Sequence, residues 1–304
     1  MPVAQLQPKE YIRSVTSLST KYSSEDALQY TRWLATHHYE NFHVVSFLLP
    51  KKLHQDFYNV YAFCRWADDL GDEIGDPRES LRLLAWWRDE LKAMYRGDAS
   101  HPVFVALRGT VERYEIPLEP FDRLIRAFEQ DQTVTRYETF DGVLNYCVNS
   151  ANPVGHLVLY LCGYRDAERQ RLSDYTCTAL QLANHWQDVT VDLKKDRIYL
   201  PLCLFDKSGY TIEDLFALKF DHRFETIMRE AVEVADDLFR RGLPLIKTVH
   251  RRLALDLELF SRGGMKVLDK IRAQGYNVLK QRPHISKAER VMLMLQCLPR
   301  LLPS

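Results

Sequence analysis

The sequence predicts an all-α protein, built as one domain over its 304 residues. Two observations carry that prediction. Apolar residues recur at three- and four-residue spacing through long stretches, and no hairpin turn signal separates alternating runs. Prolines 50, 77, 102, 120, 201 and 283 fall at the edges of those stretches, where the first helical turn tolerates them. The pattern gives helices at about 24–37, 50–73, 78–96, 102–114, 118–131, 139–163, 166–193, 222–248, 250–275 and 286–300. Residues 194–210 read as the least regular internal part. No repeat, low-complexity segment or linker divides the chain, which leaves one domain, 1–304, with room for a flexible lead over 1–20.

Composition narrows the function classes. Apolar residues make up 46% and charged residues 27%, which fits a globular chain and argues against disorder. Lys+Arg and Asp+Glu are both 41, so no basic field exists to hold nucleic acid. The six cysteines are scattered without zinc-like spacing, which fits a reducing, cytoplasmic setting. Met1–Glu10 lacks the basic-then-apolar order of a signal peptide, and apolar runs such as Leu157–Cys162 are too short to span a bilayer.

One predicted helix, 139–163, carries an interruption at Ser150-Ala151-Asn152-Pro153-Val154-Gly155. An internal proline removes a backbone hydrogen bond and costs about 3 kcal/mol, so a kink or break is expected near Asn152. Backbone freed in this way is available to a ligand. A plain helix end between two shorter helices accounts for the same residues equally well.

Two acidic clusters carry the chemistry. Helix 50–73 ends in Tyr61-Ala62-Phe63-Cys64-Arg65-Trp66-Ala67-Asp68-Asp69-Leu70-Gly71-Asp72. Four-residue spacing sets Asp68 and Asp72 on one face, roughly 6 Å apart along the axis, in a stripe with Arg65 and Tyr61. Like charges so placed repel by about 1–3 kcal/mol, and the helix C-terminus disfavours anions further. Local stability does not select this arrangement, whereas a bound cation explains it. Alone, the stripe reads more simply as a solvated helix end.

The second cluster shifts that balance. Asn184, Asp188 and Asp192 recur every four residues at the end of helix 166–193. Such oxygen-only stripes suit a hard cation; Mg²⁺ typically takes one or two carboxylates and completes its shell with water and substrate phosphate. Two stripes, expected on facing helices, suggest metals that bridge protein to a diphosphate. The flanking Phe63, Trp66, Leu182 and Trp186 read more readily as core than as ligand contacts. His37, His38 and His43 lack zinc-site spacing, and neither a P-loop nor a Gly-x-Ser-x-Gly elbow is present.

The strings YAFCRWADDLGDE (61–73) and QLANHWQDVTVDLKKDRIYLP (181–201), with YCVNSANPVG (146–155) between them, resemble the signature regions of the squalene and phytoene synthase family. The similarity runs from about His38 to Arg282. It implies the all-α isoprenoid synthase fold, a helical bundle around a central cavity, and Mg²⁺-dependent ionisation of a prenyl diphosphate, with Mn²⁺ as a substitute. By position, Asp68, Asp72, Asn184, Asp188 and Asp192 match metal ligands. Tyr61, Arg65 and, more weakly, His38 match diphosphate contacts, and Tyr146 matches a tyrosine of the reaction cavity. Arg197 and Tyr199 belong to the family's RIYLP string, and Arg282 and Lys287 to its C-terminal phosphate contacts.

Two departures narrow the resemblance. Gln187 stands where condensing members usually carry arginine, and Asn152-Pro153 interrupts what is usually a run of small residues. With HHYENF (37–42), these strings are similar to bacterial hydroxysqualene synthases of hopanoid pathways. That implies presqualene diphosphate as substrate, handed over by a presqualene diphosphate synthase, and no NADPH. The reaction loses diphosphate and water captures the rearranged cation, with Asn152 as the candidate that orients that water and Gln187 beside the diphosphate. A condensing synthase is the alternative. Such greasy substrates suit peripheral membrane contact, for which Ala288–Leu302 is a candidate, although core packing of a terminal helix accounts for it as well.

Overall fold

The computed structural model describes residues 22–37 and 50–297. Every regular element among them is helical; the sole β-type pairing there is an isolated parallel bridge between Arg136 and Ile198. The chain packs as two compact units. One holds the described residues up to Thr133 together with His156–Arg165, and the other holds Val134–Gly155 and the described residues from Asp166 onward.

The first unit contains α1 (Ser24–His37), α2 (His54–Asp72), α3 (Pro77–Tyr95), α4 (Pro102–Tyr114) and α5 (Glu119–Gln130). The starts of α3 and α4 have a local cause. Asp76 accepts a hydrogen bond from the Arg78 amide ahead of Pro77, and His101 caps α4 ahead of Pro102. Phe63 and Trp66 of α2 and Trp87 of α3 form the aromatic centre, with the Trp66 and Trp87 rings stacked at 5.1 Å. Such pairs contribute roughly 0.5–1.5 kcal/mol beyond their burial. The Trp66 indole N–H donates to the Tyr30 hydroxyl at 3.1 Å, which locks α2 to α1. At its other end α2 is tied by Asp56, which accepts from Thr110 at 2.9 Å and pairs with Arg113 at 3.0 Å. The acidic end of α2 therefore sits on a rigid rod.

The second unit begins with α6 (Phe140–Ser150), which stops at Ala151; α7 (Asn152–Leu161) restarts at once, with only its first four residues, 152–155, counted in this unit. The expected break near Asn152 is present, set by Pro153. The long α8 (Ala167–Gln187) follows, and then α9 (Val189–Asp192), α10 (Leu202–Ser208), α11 (Ile212–Phe216), α12 (His222–Gly242), α13 (Arg251–Ala273) and α14 (Lys287–Cys297). Three expectations are corrected here. The helix expected over 166–193 ends at Gln187, because Asp188 leaves helical geometry (φ −104°, ψ 13°). The helix expected to 248 ends at Gly242 and continues as a 3₁₀ turn over Leu243–Lys247 around Pro244. The segment 194–210 holds a short helix, started by Pro201 and stopped by Gly209 at φ +69°; it is too short for periodicity to register.

α12 buries an apolar face (Phe224, Ile227, Met228, Ala231, Ala235, Phe239) against α8. A Cβ at Gly242 would meet the Thr176 backbone nitrogen at 2.9 Å, so this close approach requires glycine. Trp186, fully buried, donates its N–H to the Ala231 carbonyl at 2.9 Å.

α13 carries Asp256, 2% exposed, with neither carboxylate oxygen hydrogen-bonded. Burial pushes its pKa up to about 8. An unfolded aspartate titrates near 3.9, so the stability this group confers is complete below about pH 4 and is lost as pH rises through about 8. We expect Asp256→Asn to melt higher than wild type at pH 8, by a margin that shrinks toward pH 5. Parallel melting-temperature curves across that range would refute this account.

Candidate active site

The first acidic cluster forms the last two turns of α2. Asp69 is buried, Asp68 half-buried and Asp72 exposed. Arg65 pairs with Asp69 at 2.5 Å and reaches Asp68 at 3.5 Å. Burial, opposed by Arg65 and reinforced by Asp68, pushes Asp69 up to about 6. Tyr61, half-buried one turn earlier, is also raised by burial; Arg65 lowers it, and Asp68 and Asp69 raise it, which places the four groups in one electrostatic neighbourhood. Asp69 was not singled out from the sequence, although its position four residues after Arg65 is the signal that could have found it.

The second cluster surrounds the C-terminus of α8. The stripe does not lie on one regular helix, yet its register survives: the Asp188 amide donates to the Asn184 carbonyl and the Asp192 amide to the Asp188 carbonyl, both at 2.9 Å. Asp192 is pushed up to about 7 by burial and by its neighbour Asp188, against the pull of Arg197, Lys195 and Arg282. Asn184 is exposed. Arg282 grips Asp188 through two nitrogens, one at 3.1 Å. Gln187 donates its amide N–H to the Pro283 carbonyl.

Behind these groups the 197–202 string runs beside 135–138, with Ile198 N–H donating to Thr135 O and Leu202 N–H to Tyr137 O, both at 2.9 Å. This buries Tyr199 against His185 (ring centroids 3.6 Å apart) and brings Tyr146 within 5.7 Å of Tyr199. His185, missed in the sequence, is held neutral: burial, aided by Arg197, lowers its pKa to about 3. His185, Asp192, Arg197 and Tyr199 line one small crevice. Asn152 is buried, and its amide oxygen accepts the Thr178 hydroxyl at 2.9 Å. The start of α7 lies so close to α8 that a Cβ at Gly155 would meet Ser173 Oγ at 2.2 Å.

The structure thus gathers Tyr61, Arg65 and Asp68 in the first unit, with Asp72 one turn beyond Asp68 on the same helix. In the second it gathers Tyr146, Gln187, Asp188, Asp192, Arg197 and Tyr199, and places Asn152 on Thr178. His38 lies outside the described residues. Among the described residues no three His, Cys, Asp or Glu side chains converge to hold a metal by themselves. The donors nevertheless suit a hard cation. Asp192 is a desolvated carboxylate beside a second carboxylate, whose joint ionisation a divalent ion favours.

The squalene/phytoene synthase family model matches residues 35–289. The chain is 33% identical over 259 residues to a phytoene synthase of Thermus thermophilus, covering 84% of this chain and 87% of that one. It is 32% identical over 260 residues to a hydroxysqualene synthase of Sinorhizobium fredii, covering 84% and 86%. Among solved structures it resembles squalene synthase HpnC of Alicyclobacillus acidocaldarius, with TM-score 0.80, 43% identity, and coverage of 84% of this chain and 96% of that one. A dehydrosqualene synthase shares the fold at TM-score 0.81 and 22% identity, over 91% of this chain and 97% of that one. The chain belongs to the squalene/phytoene synthase family, prenyl-transferring enzymes of isoprenoid biosynthesis with an all-α isoprenoid synthase fold.

We expect Asp68→Ala and Asp188→Ala each to slow diphosphate release from a prenyl diphosphate by roughly two orders of magnitude or more, the scale of losing one electrostatic stabiliser. Circular dichroism should show helix content intact. Rates like wild type in Mg²⁺ would remove these residues from the chemistry.

Proposed function

We propose that this chain converts presqualene diphosphate into hydroxysqualene. The observation that carries the reading is the pair of departures beside the acidic clusters. Gln187, at the position where the family resemblance implies that condensing members usually carry arginine, commits its amide N–H to a backbone carbonyl, and Asn152 supplies a buried amide at a helix break. A site that ionises one diphosphate needs fewer cationic contacts than one that couples two prenyl diphosphates. Hydroxysqualene synthases among the similar proteins support the reading, and phytoene synthases of equal similarity set the alternative.

In this reading Asp68 and Asp72 would hold Mg²⁺ in the first unit, and Asn184, Asp188 and Asp192 would do so in the second. A divalent cation held by these carboxylates would supply neutralisation of charge on the leaving diphosphate. Tyr61 and Arg65 of the first unit, and separately Arg197 of the second, are the candidate contacts for diphosphate oxygens. The C–O bond to diphosphate breaks with its electron pair leaving on the diphosphate oxygen. The carbocation rearranges, a water oxygen bonds to it, and that water releases one proton to solvent. Tyr146 and Tyr199 line the hydrocarbon side, where aromatic faces stabilise positive charge. The Thr178 hydroxyl fixes the Asn152 oxygen, leaving the amide N–H₂ to orient the water. No electron transfer occurs, so no nicotinamide reductant enters. The substrate arrives from a presqualene diphosphate synthase.

Mass-spectrometric product analysis with presqualene diphosphate and Mg²⁺, without NADPH, tests this reading. Hydroxysqualene is the expected product, and Asn152→Gly should lower its yield in favour of products not trapped by water. An unchanged yield would count against the Asn152 role. Presqualene diphosphate formed from farnesyl diphosphate alone would establish the condensing alternative instead.

The hydrophobic substrate needs delivery, and α14 supports a bilayer contact. Val291, Met292, Met294 and Leu295 are all exposed along it, beside the basic residues Lys287 and Arg290. Residues beyond Cys297 lie outside the described chain, and among the described residues no helix is long and apolar enough to cross a membrane. Apolar side chains flanked by cations suit a helix lying on an anionic surface. The protein should float with vesicles containing anionic phospholipid, and Val291→Ser with Leu295→Ser should abolish flotation. Equal flotation of both proteins would overturn this contact.

A further inference from the structure

The connection from Ala273 to Lys287 crosses the C-terminus of α8 as an irregular strap, and its attachments are specific. Gly275 and Tyr276 turn the chain through positive φ (63° and 62°), and Gln274 Nε2 holds the Gln281 carbonyl at 3.2 Å. At the far end Ser286 and Glu289 cap α14 reciprocally, and Glu289 pairs with Lys270 of α13 at 2.9 Å. Between these anchors two successive strap residues meet two successive residues of the acidic cluster. Arg282 takes the Asp188 carboxylate, and the Pro283 carbonyl takes the Gln187 amide.

We propose that Gln187 is a positioning residue that holds this strap, and that Arg282 moves from Asp188 to the diphosphate when a divalent cation takes the carboxylate. The proposal rests on the reading of Asp188 as a cation ligand. It changes the meaning of Gln187: its side chain acts through the strap and not directly on substrate.

The physical case is competition for one set of lone pairs. A guanidinium fork occupying both Asp188 oxygens competes with a divalent ion for them. The Arg282–Asp188 pair is partly solvated, with side-chain exposures of 49% and 25%, so exchanging partners costs little. Diphosphate offers the displaced guanidinium the same planar, bidentate geometry it leaves behind. The Gln187–Pro283 bond keeps the backbone at Arg282 beside the cluster throughout, so the side chain has only to swing. An arginine at 187 would put a cation next to Arg282 and could not make the same neutral tie without repelling it.

Calorimetric titration of the full chain with MgCl₂ alone, and then with inorganic pyrophosphate at saturating MgCl₂, separates this role from a structural one. Arg282→Gln should bind Mg²⁺ severalfold tighter, because its competitor is gone. It should bind pyrophosphate about tenfold weaker, the size of a charge-assisted hydrogen bond. Gln187→Ala should weaken pyrophosphate binding severalfold, leave Mg²⁺ binding no weaker, and speed hydrogen exchange at the His284 and Ile285 amides. Opposite signs for the two ligands are what a general loss of structure does not produce. If both affinities of Arg282→Gln fall together, or neither moves while Asp188→Ala loses Mg²⁺, the strap role is wrong and the cation site stands. If Asp188→Ala binds Mg²⁺ like wild type, the cation reading fails and the strap role fails with it.

Discussion

Crowded, partly desolvated carboxylates at helix C-termini are the constraint around which this molecule is built. Negative charge at that end of a helix opposes the backbone dipole, and neighbouring acids repel one another. Burial adds to the cost: it pushes Asp69 up to about 6 and Asp192 up to about 7. A chain that keeps such groups in place must hold them by packing done elsewhere.

Both units answer in the same way. In each cluster a fully buried tryptophan lies two residues before the first aspartate of the pair, Trp66 before Asp68 and Trp186 before Asp188. Each indole N–H is committed to a neighbouring helix, at Tyr30 or at Ala231. The rings remove large apolar areas from water and fix the rotation of the helix about its axis, which decides where the carboxylates point. Each cluster also carries an arginine among its acids, Arg65 in one and Arg282 in the other. The tryptophans set position, and the arginines moderate charge.

The helical class, the break at Asn152 and both acidic stripes were legible because each has a local signature: periodicity, a proline, a four-residue repeat. Asp188 leaving the helix was not legible, because no glycine or proline marks it and the i to i−4 bonds continue past it. Nor was the partnership of Arg282 with Asp188, separated by 94 positions in the chain. Asp69, which the four-residue spacing of Asp68 and Asp72 does not include, proved the most buried acid of its cluster. The neutral His185 was hidden in a motif whose polar letters drew attention to metal ligands. What sequence reading missed in these cases is long-range pairing and burial, which spacing does not encode.

The two arginines are not equivalent. Asp69, the partner of Arg65, is buried, so removing that guanidinium would leave a carboxylate without its main compensation in a poorly solvated place. Arg282 and its partner Asp188 are both partly exposed, and the segment bearing Arg282 is irregular backbone held at a few points. The first pair behaves as a fixed part of its helix. The second has the lower cost of separation, because water can solvate both ends as they part. Of the two acidic clusters, the one beside α8 is therefore the one whose ion pair separates at lower cost, while the one on α2 keeps its arrangement.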